Sequence, residues 1–169
     1  MEVPQSKTLP LIVLLGYLAA TCAAAAIGSY FTVQVSITKY YSTLIKPAWA
    51  PPGWIFAPVW TALYIGMCLA IWQVWRMKPI RPSRAYTLTH AIWWVQLGLN
   101  AAWPVIFWLQ PAGMAAFVAC ASLAVAVWGC AAVMCRISVG AAMLMLPYAC
   151  WVSFATALSW ALWRMNSAI

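Results

Sequence analysis

The chain has 169 residues, of which 67% are apolar and 6% charged, and its mean hydropathy is +0.90. Soluble domains carry about a quarter charged residues, so a water-solvated globule and a disordered chain are both excluded. Nine Lys and Arg stand against one acid, Glu2, which removes carboxylate-pair hydrolysis, carboxylate metal sites, Ser-His-Asp triads and pumps built on intramembrane acids.

The cations divide the chain into uncharged stretches at residues 8–38, 47–75, 85–135 and 137–163. A membrane-crossing helix takes about 20 mostly apolar residues. Three stretches hold one crossing each, and 85–135 holds two, broken at Leu109-Gln110-Pro111-Ala112-Gly113. In hydrocarbon a backbone must satisfy its own hydrogen bonds. The expected fold class is therefore all-α integral membrane: one domain over 1–169, a bundle of helices near 9–31, 54–76, 88–109, 113–135 and 140–163.

The first helix carries Gly16, Ala20, Ala24 and Gly28 at every fourth position, a stripe that lets another helix approach closely. Packing inside the bundle is the expected use, and a scaffold contact with a partner protein is the alternative. Lys7 and Ala23-Ala24-Ala25 would fit a cleavable signal, but the apolar run continues past them, so a retained helix is expected. The long connection 32–53 follows, with Lys39, Lys46, Pro47, Pro51 and Pro52; its prolines favour a fixed, folded lid. Lys7, Arg76, Lys78, Arg81, Arg84 and Arg136 fall on the N-terminal side, against Lys39, Lys46 and Arg164 on the other. The N-terminus thus faces the cytoplasm or its equivalent. The Arg76-to-Arg84 cluster suits anionic headgroups, and the loop is too short for nucleic acid.

Thirteen tryptophans are the most unusual feature. Trp54, Trp72, Trp75, Trp108 and Trp163 fall near helix ends and read as an interfacial belt. Others lie deeper. Phe56, Trp60, Leu63 and Met67 share one face of the second helix; Gln96, Asn100, Trp103 and Phe107 one face of the third; Tyr148, Trp151, Ala155 and Leu158 one face of the fifth. Amides are costly in lipid, so Gln96 and Asn100 point inward and carry Trp103 and Phe107 with them. Two interiors satisfy this pattern: a pocket for a flat, apolar ligand, or a solid core with polar glue. Pro58, Pro104 and Pro147 can kink three helices. His90, the single histidine, cannot make a bis-histidine site, and the six cysteines lack a C-x-x-C pair and read as apolar fillers. No metal site is expected.

Four segments in order resemble one family. Tyr40-Tyr41-Ser42-Thr43-Leu44-Ile45-Lys46-Pro47-Ala48-Trp49-Ala50-Pro51-Pro52 is similar to its W-Y-x-x-L-x-K-P-x-W-x-P-P loop, and Pro58-Val59-Trp60-Thr61-Ala62-Leu63-Tyr64 to its P-V-W-x-x-L-Y. Gln96-Leu97-Gly98-Leu99-Asn100-Ala101-Ala102-Trp103-Pro104 is similar to Q-L-x-L-N-x-x-W-P. Pro147-Tyr148-Ala149-Cys150-Trp151, with Phe154-Ala155-Thr156 and Leu158, is similar to P-Y-x-x-W-x-x-F-A-T-x-L. This is the translocator protein or tryptophan-rich sensory protein (TspO/MBR) family, also called the peripheral-type benzodiazepine receptor family. The near absence of acids departs from some of its members.

The resemblance implies a multi-pass protein of a bacterial envelope membrane or the mitochondrial outer membrane, with a ligand cavity capped by the loop between helices 1 and 2. It implies binding of tetrapyrroles such as protoporphyrin IX, and of sterols, benzodiazepines and isoquinolines, in a transport, sensory or stress role, and homodimers occur in the family. Carried over, the pocket comprises Phe56, Ala57, Trp60, Asn100, Trp103, Trp151, Ala155 and Leu158. The lid comprises Tyr41, Lys46, Pro47, Trp49, Pro51 and Pro52. Light-dependent protoporphyrin degradation, reported for some bacterial members, would place Trp60 and Trp151 in a catalytic role. The sterol motif is degenerate: Leu158, Trp160 and Arg164, with Trp where the family has Tyr.

Overall fold

The computed structural model describes residues 8–34, 43–78, 83–109 and 113–166. Five long helices account for most of them: α1 (Thr8–Gln34), α2 (Phe56–Arg76), α3 (Arg84–Leu109), α4 (Met114–Cys135) and α5 (Val139–Asn166). A 3-10 turn, Gly53–Ile55, leads into α2. Four helices, α1, α2, α4 and α5, are long and apolar enough to cross a bilayer. The fifth, α3, has the length at 26 residues, but its amides, threonines and His90 dilute its hydropathy. It is packed between α1 and α4.

The helices form a closed ring in the order α1, α2, α5, α4, α3 and back to α1. Across the ring, α2 and α3 meet mainly through side chains. Met67, Ile71, Trp93, Val127, Met145 and Tyr148 fill the middle, each fully buried. Trp93 donates its indole N–H to the Met67 carbonyl at 3.2 Å, tying α3 to α2. The lipid-facing surface is apolar, as burial by bilayer rather than water requires: Leu11, Ile12, Val125 and Met143 are all exposed.

The expected boundaries hold to within a few residues, and the differences have local causes. α3 begins four residues earlier than expected because Ser83 caps it: the Ser83 Oγ accepts the Tyr86 amide at 3.2 Å. α5 begins at Val139 because the Ser138 Oγ accepts the Ala141 amide at 3.2 Å. A hydroxyl at such a position satisfies one of the free N–H groups of the first turn.

The small-residue stripe on α1 is used within the bundle along its second half. Ala24 is buried, and a β-carbon at Gly28 would stand 3.4 Å from the Pro104 ring of α3, whereas one at Gly16 would meet nothing within 4 Å. His90 takes a packing role, with Nδ1 2.9 Å from the Tyr86 carbonyl and its ring 4.4 Å from that of Tyr86. Of the belt tryptophans, Trp54 is exposed and Trp163 stacks on Phe117. The break at 110–112 lies outside the described residues.

Replacing Ser138 by Ala should destabilise the protein in detergent by about 1 kcal/mol. Ser138→Asp should restore most of this; thermal unfolding of the three proteins checks it, and an Ala variant as stable as the parent would remove the capping role.

Candidate functional site

The site is built upward from a row of neutral polar groups at mid-bundle. Tyr64 on α2 donates its hydroxyl proton to Asn100 Oδ1 on α3. Asn100 Nδ2 donates to the Tyr148 hydroxyl on α5 at 2.7 Å. Tyr148 donates in turn to Gln96 Oε1 at 3.0 Å, and Gln96 Nε2 points at Met67 Sδ, 3.9 Å away on α2. Gln96, Asn100 and Tyr148 are buried. Three helices are thereby tied in one plane, and the inward orientation expected of both amides is what the structure shows.

One helical turn toward the long loop lies a layer of indoles. Trp60 precedes Tyr64 by four residues on α2, Trp103 follows Asn100 by three on α3, and Trp151 follows Tyr148 by three on α5. Because α2 runs away from the loop while α3 and α5 run toward it, all three land on the same side of the polar row. They pack against the central core. Trp60 meets Tyr148 edge-on at 6.0 Å, Trp151 meets Phe56 at 5.8 Å, and Trp103 stacks on Phe107 at 5.2 Å. The Trp103 N–H donates to the Ala116 carbonyl at 3.2 Å. The Trp151 Nε1 is buried with no hydrogen-bond partner, an arrangement rare enough in folded proteins to need a reason.

Trp60, Trp103, Cys120, Leu123, Val152 and Ala155 enclose a void of about 10 Å³. At this size the layer is closely packed, closer to the solid core than to the open pocket of the two expected interiors. One water needs at least about that much room, and a drug-sized ligand some 300–1,000 Å³.

Above the indoles sits the described part of the loop. Leu44 is buried with Leu158 and Leu162, flanked by Ala50, Phe56 and Phe154. Trp49 meets Phe154 edge-on at 5.7 Å. The Asn166 side chain brackets one loop residue: Oδ1 accepts the Ile45 amide at 3.0 Å, and Nδ2 donates to the Ile45 carbonyl at 2.9 Å. A turn closed by the Ala50 amide on the Pro47 carbonyl, at 2.9 Å, stiffens the segment from Lys46 to Pro52. Of the expected lid residues, Lys46, Pro47, Trp49, Pro51 and Pro52 lie in this folded segment; Tyr41 lies outside the described residues.

Of the expected pocket residues, Trp60, Trp103 and Ala155 line the void, with Asn100 beneath and Phe56, Trp151 and Leu158 toward the lid. Ala57 is exposed at the start of α2, apart from them. The degenerate sterol motif does not form one surface: Leu158 is 4% exposed beneath the loop, whereas Trp160 is 51% exposed and Arg164 is also exposed. Two groups in the site carry no signal in the sequence pattern. Cys120 and Leu123 form the α4 wall, and the Tyr64 hydroxyl joins the polar row from α2. The Cys120 thiol accepts from Thr156 at 3.4 Å, so it joins α4 to α5.

Comparison with known proteins gives one consistent result. The model of the TspO/MBR family matches residues 17–164. A protein named tryptophan-rich protein TspO from Chlorobaculum tepidum is 34% identical over 143 residues, covering 82% of this chain and 86% of its own. The human translocator protein is 32% identical over 163 residues, 93% of this chain and 92% of its own. A tryptophan-rich sensory protein of Cereibacter sphaeroides is 30% identical over 156 residues, 90% of each chain.

Removing the Tyr148 hydroxyl strands both Asn100 Nδ2 and Gln96 Oε1. Tyr148→Phe should therefore cost about 2 kcal/mol and Tyr64→Phe, at the end of the row, about 1 kcal/mol. Reversible unfolding in mixed micelles measures both, and equal costs would contradict the central place of Tyr148.

Proposed function

The chain belongs to the TspO/MBR family and is a multi-pass integral membrane protein, and from that premise we propose that it binds tetrapyrroles such as protoporphyrin IX, or flat lipophiles of similar shape, between its polar row and its lid. The supporting observation is the layer of Trp60, Trp103 and Trp151 with the unpaired Trp151 N–H. Indole faces stack on a planar macrocycle, and a buried donor without a partner gains from an acceptor on the guest. The chemistry fits; the 10 Å³ void does not. Binding therefore requires the indoles to part, and the lid held by Asn166 is the element that gives way. A transport or sensory role would follow from that opening. Sterols, benzodiazepines and isoquinolines are further candidate occupants of the same layer.

Purified protein should shift the Soret band of protoporphyrin IX in a saturable titration. Trp151→Phe should weaken binding about fivefold, the worth of one hydrogen bond near 1 kcal/mol, and the double variant with Trp60→Phe more. Non-saturable binding, or affinity unchanged in the double variant, would overturn the reading. Illuminating the complex separates binding from photochemical breakdown: porphyrin decay no faster than with free tryptophan would leave binding as the whole function. Asn166→Ala, which frees the lid, should accelerate both association and release by stopped-flow; unchanged rates would place the gate elsewhere.

A further inference from the structure

At the opposite end of the bundle, α2 and α5 leave a groove of about 480 Å³ lined by Leu69, Trp72, Gln73, Arg76, Met77 and Leu144. Two glycines let its walls come close. A β-carbon on Gly66 would stand 3.3 Å from the Leu144 carbonyl, and one on Gly140 only 3.0 Å from Gln73 Nε2. Gly66 thus closes the deep end, and the absence of a side chain at Gly140 leaves room for the Gln73 amide at the shallow end.

The lining is graded along the bilayer normal. Leu69 and Leu144 lie deepest, Trp72 and Gln73 next, and Arg76 last, about 10 Å from Leu69 along α2. Arg76 is oriented by its neighbours: its guanidinium carbon lies 4.9 Å from the Trp72 ring centroid, within cation–π reach. Trp72 is held in turn by donating its indole N–H to the Pro10 carbonyl of α1 at 3.0 Å. No carboxylate side chain exists among the described residues, since Glu2 is the single acid. Lys78, Arg84 and Arg136 lie at this same end of the helices, which adds positive charge there.

We propose that this groove is a binding site for one anionic phospholipid of the N-terminal-side leaflet. Its phosphate would pair with Arg76 and Gln73, its glycerol region would lie at Trp72, and an acyl chain would run over Leu69 and Leu144. Arg76 forms paired hydrogen bonds to phosphate oxygens readily, and anionic lipids populate the cytoplasmic leaflet that the basic loops select. A free phosphate would use Arg76 and Gln73 but would leave the apolar half of the groove without purpose; the gradation fits an amphiphile.

The full chain in detergent, mixed with phosphatidylglycerol or phosphatidylcholine of matched acyl chains, is examined by native mass spectrometry. The parent should retain phosphatidylglycerol about fivefold over phosphatidylcholine, the worth of one surface cation near 1 kcal/mol. Arg76→Gln should abolish the preference, Arg76→Lys should keep part of it, and Arg84→Gln should leave it unchanged. Leu144→Trp, which fills the groove, should lower retention of both lipids. A preference surviving Arg76→Gln, or lost equally in Arg84→Gln, would overturn the site in favour of diffuse charge. Displacement by millimolar inorganic phosphate alone would show that the acyl contacts contribute nothing, and would overturn it as well.

Discussion

Two amides placed one turn apart on a lipid-embedded helix set the constraint from which the architecture follows. Gln96 and Asn100 cannot face hydrocarbon without a large penalty, and no water is at hand to satisfy them. Tyr148 resolves both at once, because a phenol can accept from one amide and donate to the other. Tyr64 completes Asn100 from α2, and Gln96 returns to α2 at Met67, one turn away. The row leaves and re-enters the same helix. Sliding α3 or α5 by one residue would strand at least one buried group, so the row fixes register where apolar packing alone would tolerate slippage.

With the polar plane fixed, the positions of the indoles are no longer independent. Each aromatic ring is one turn from a residue whose side chain is already committed, so Trp60, Trp103 and Trp151 fall on the same side of the row. The lid is held by different means: apolar contact through Leu44 and a two-point amide bracket from Asn166. Roof and floor are thus energetically separate. The roof bonds are exposed and few; the floor bonds are buried and cooperative. On the binding reading proposed above, opening at the roof would leave the register of the bundle intact.

The parts of this arrangement that were legible in the sequence are those written as periodicity with a chemical penalty. The uncharged stretches gave five helices, and the amide spacing on α3 gave its inward face. What remained hidden has specific causes. α4 is apolar on every side, so nothing in its pattern distinguished Cys120 and Leu123 from residues facing lipid. The cap at Ser83 lies outside the apolar run, where hydropathy carries no signal. Ala57, carried over from the family pattern, turns out to be exposed because it follows Phe56 by one residue on a helix, about 100° around the axis. The same geometry separates Leu158 from Trp160. That the indole layer leaves a void of only about 10 Å³ is a matter of side-chain packing, which no spacing rule encodes.

The near absence of acids joins the two ends of the molecule. Glu2 is the single acidic side chain and lies outside the described residues, so the polar interior is assembled from neutral phenols, amides, indoles and thiols. Such an interior offers hydrogen bonds but no compensating charge. A guest with ionised groups would meet the full desolvation cost if those groups were drawn to mid-bundle. On the binding reading proposed above, its apolar plane would lie among the indoles and its charged groups would stay at the loop end of the bundle. At the other end the cations face water and headgroups. On the two proposals made above, the charge imbalance would orient a guest at one end and draw an anionic headgroup to the other.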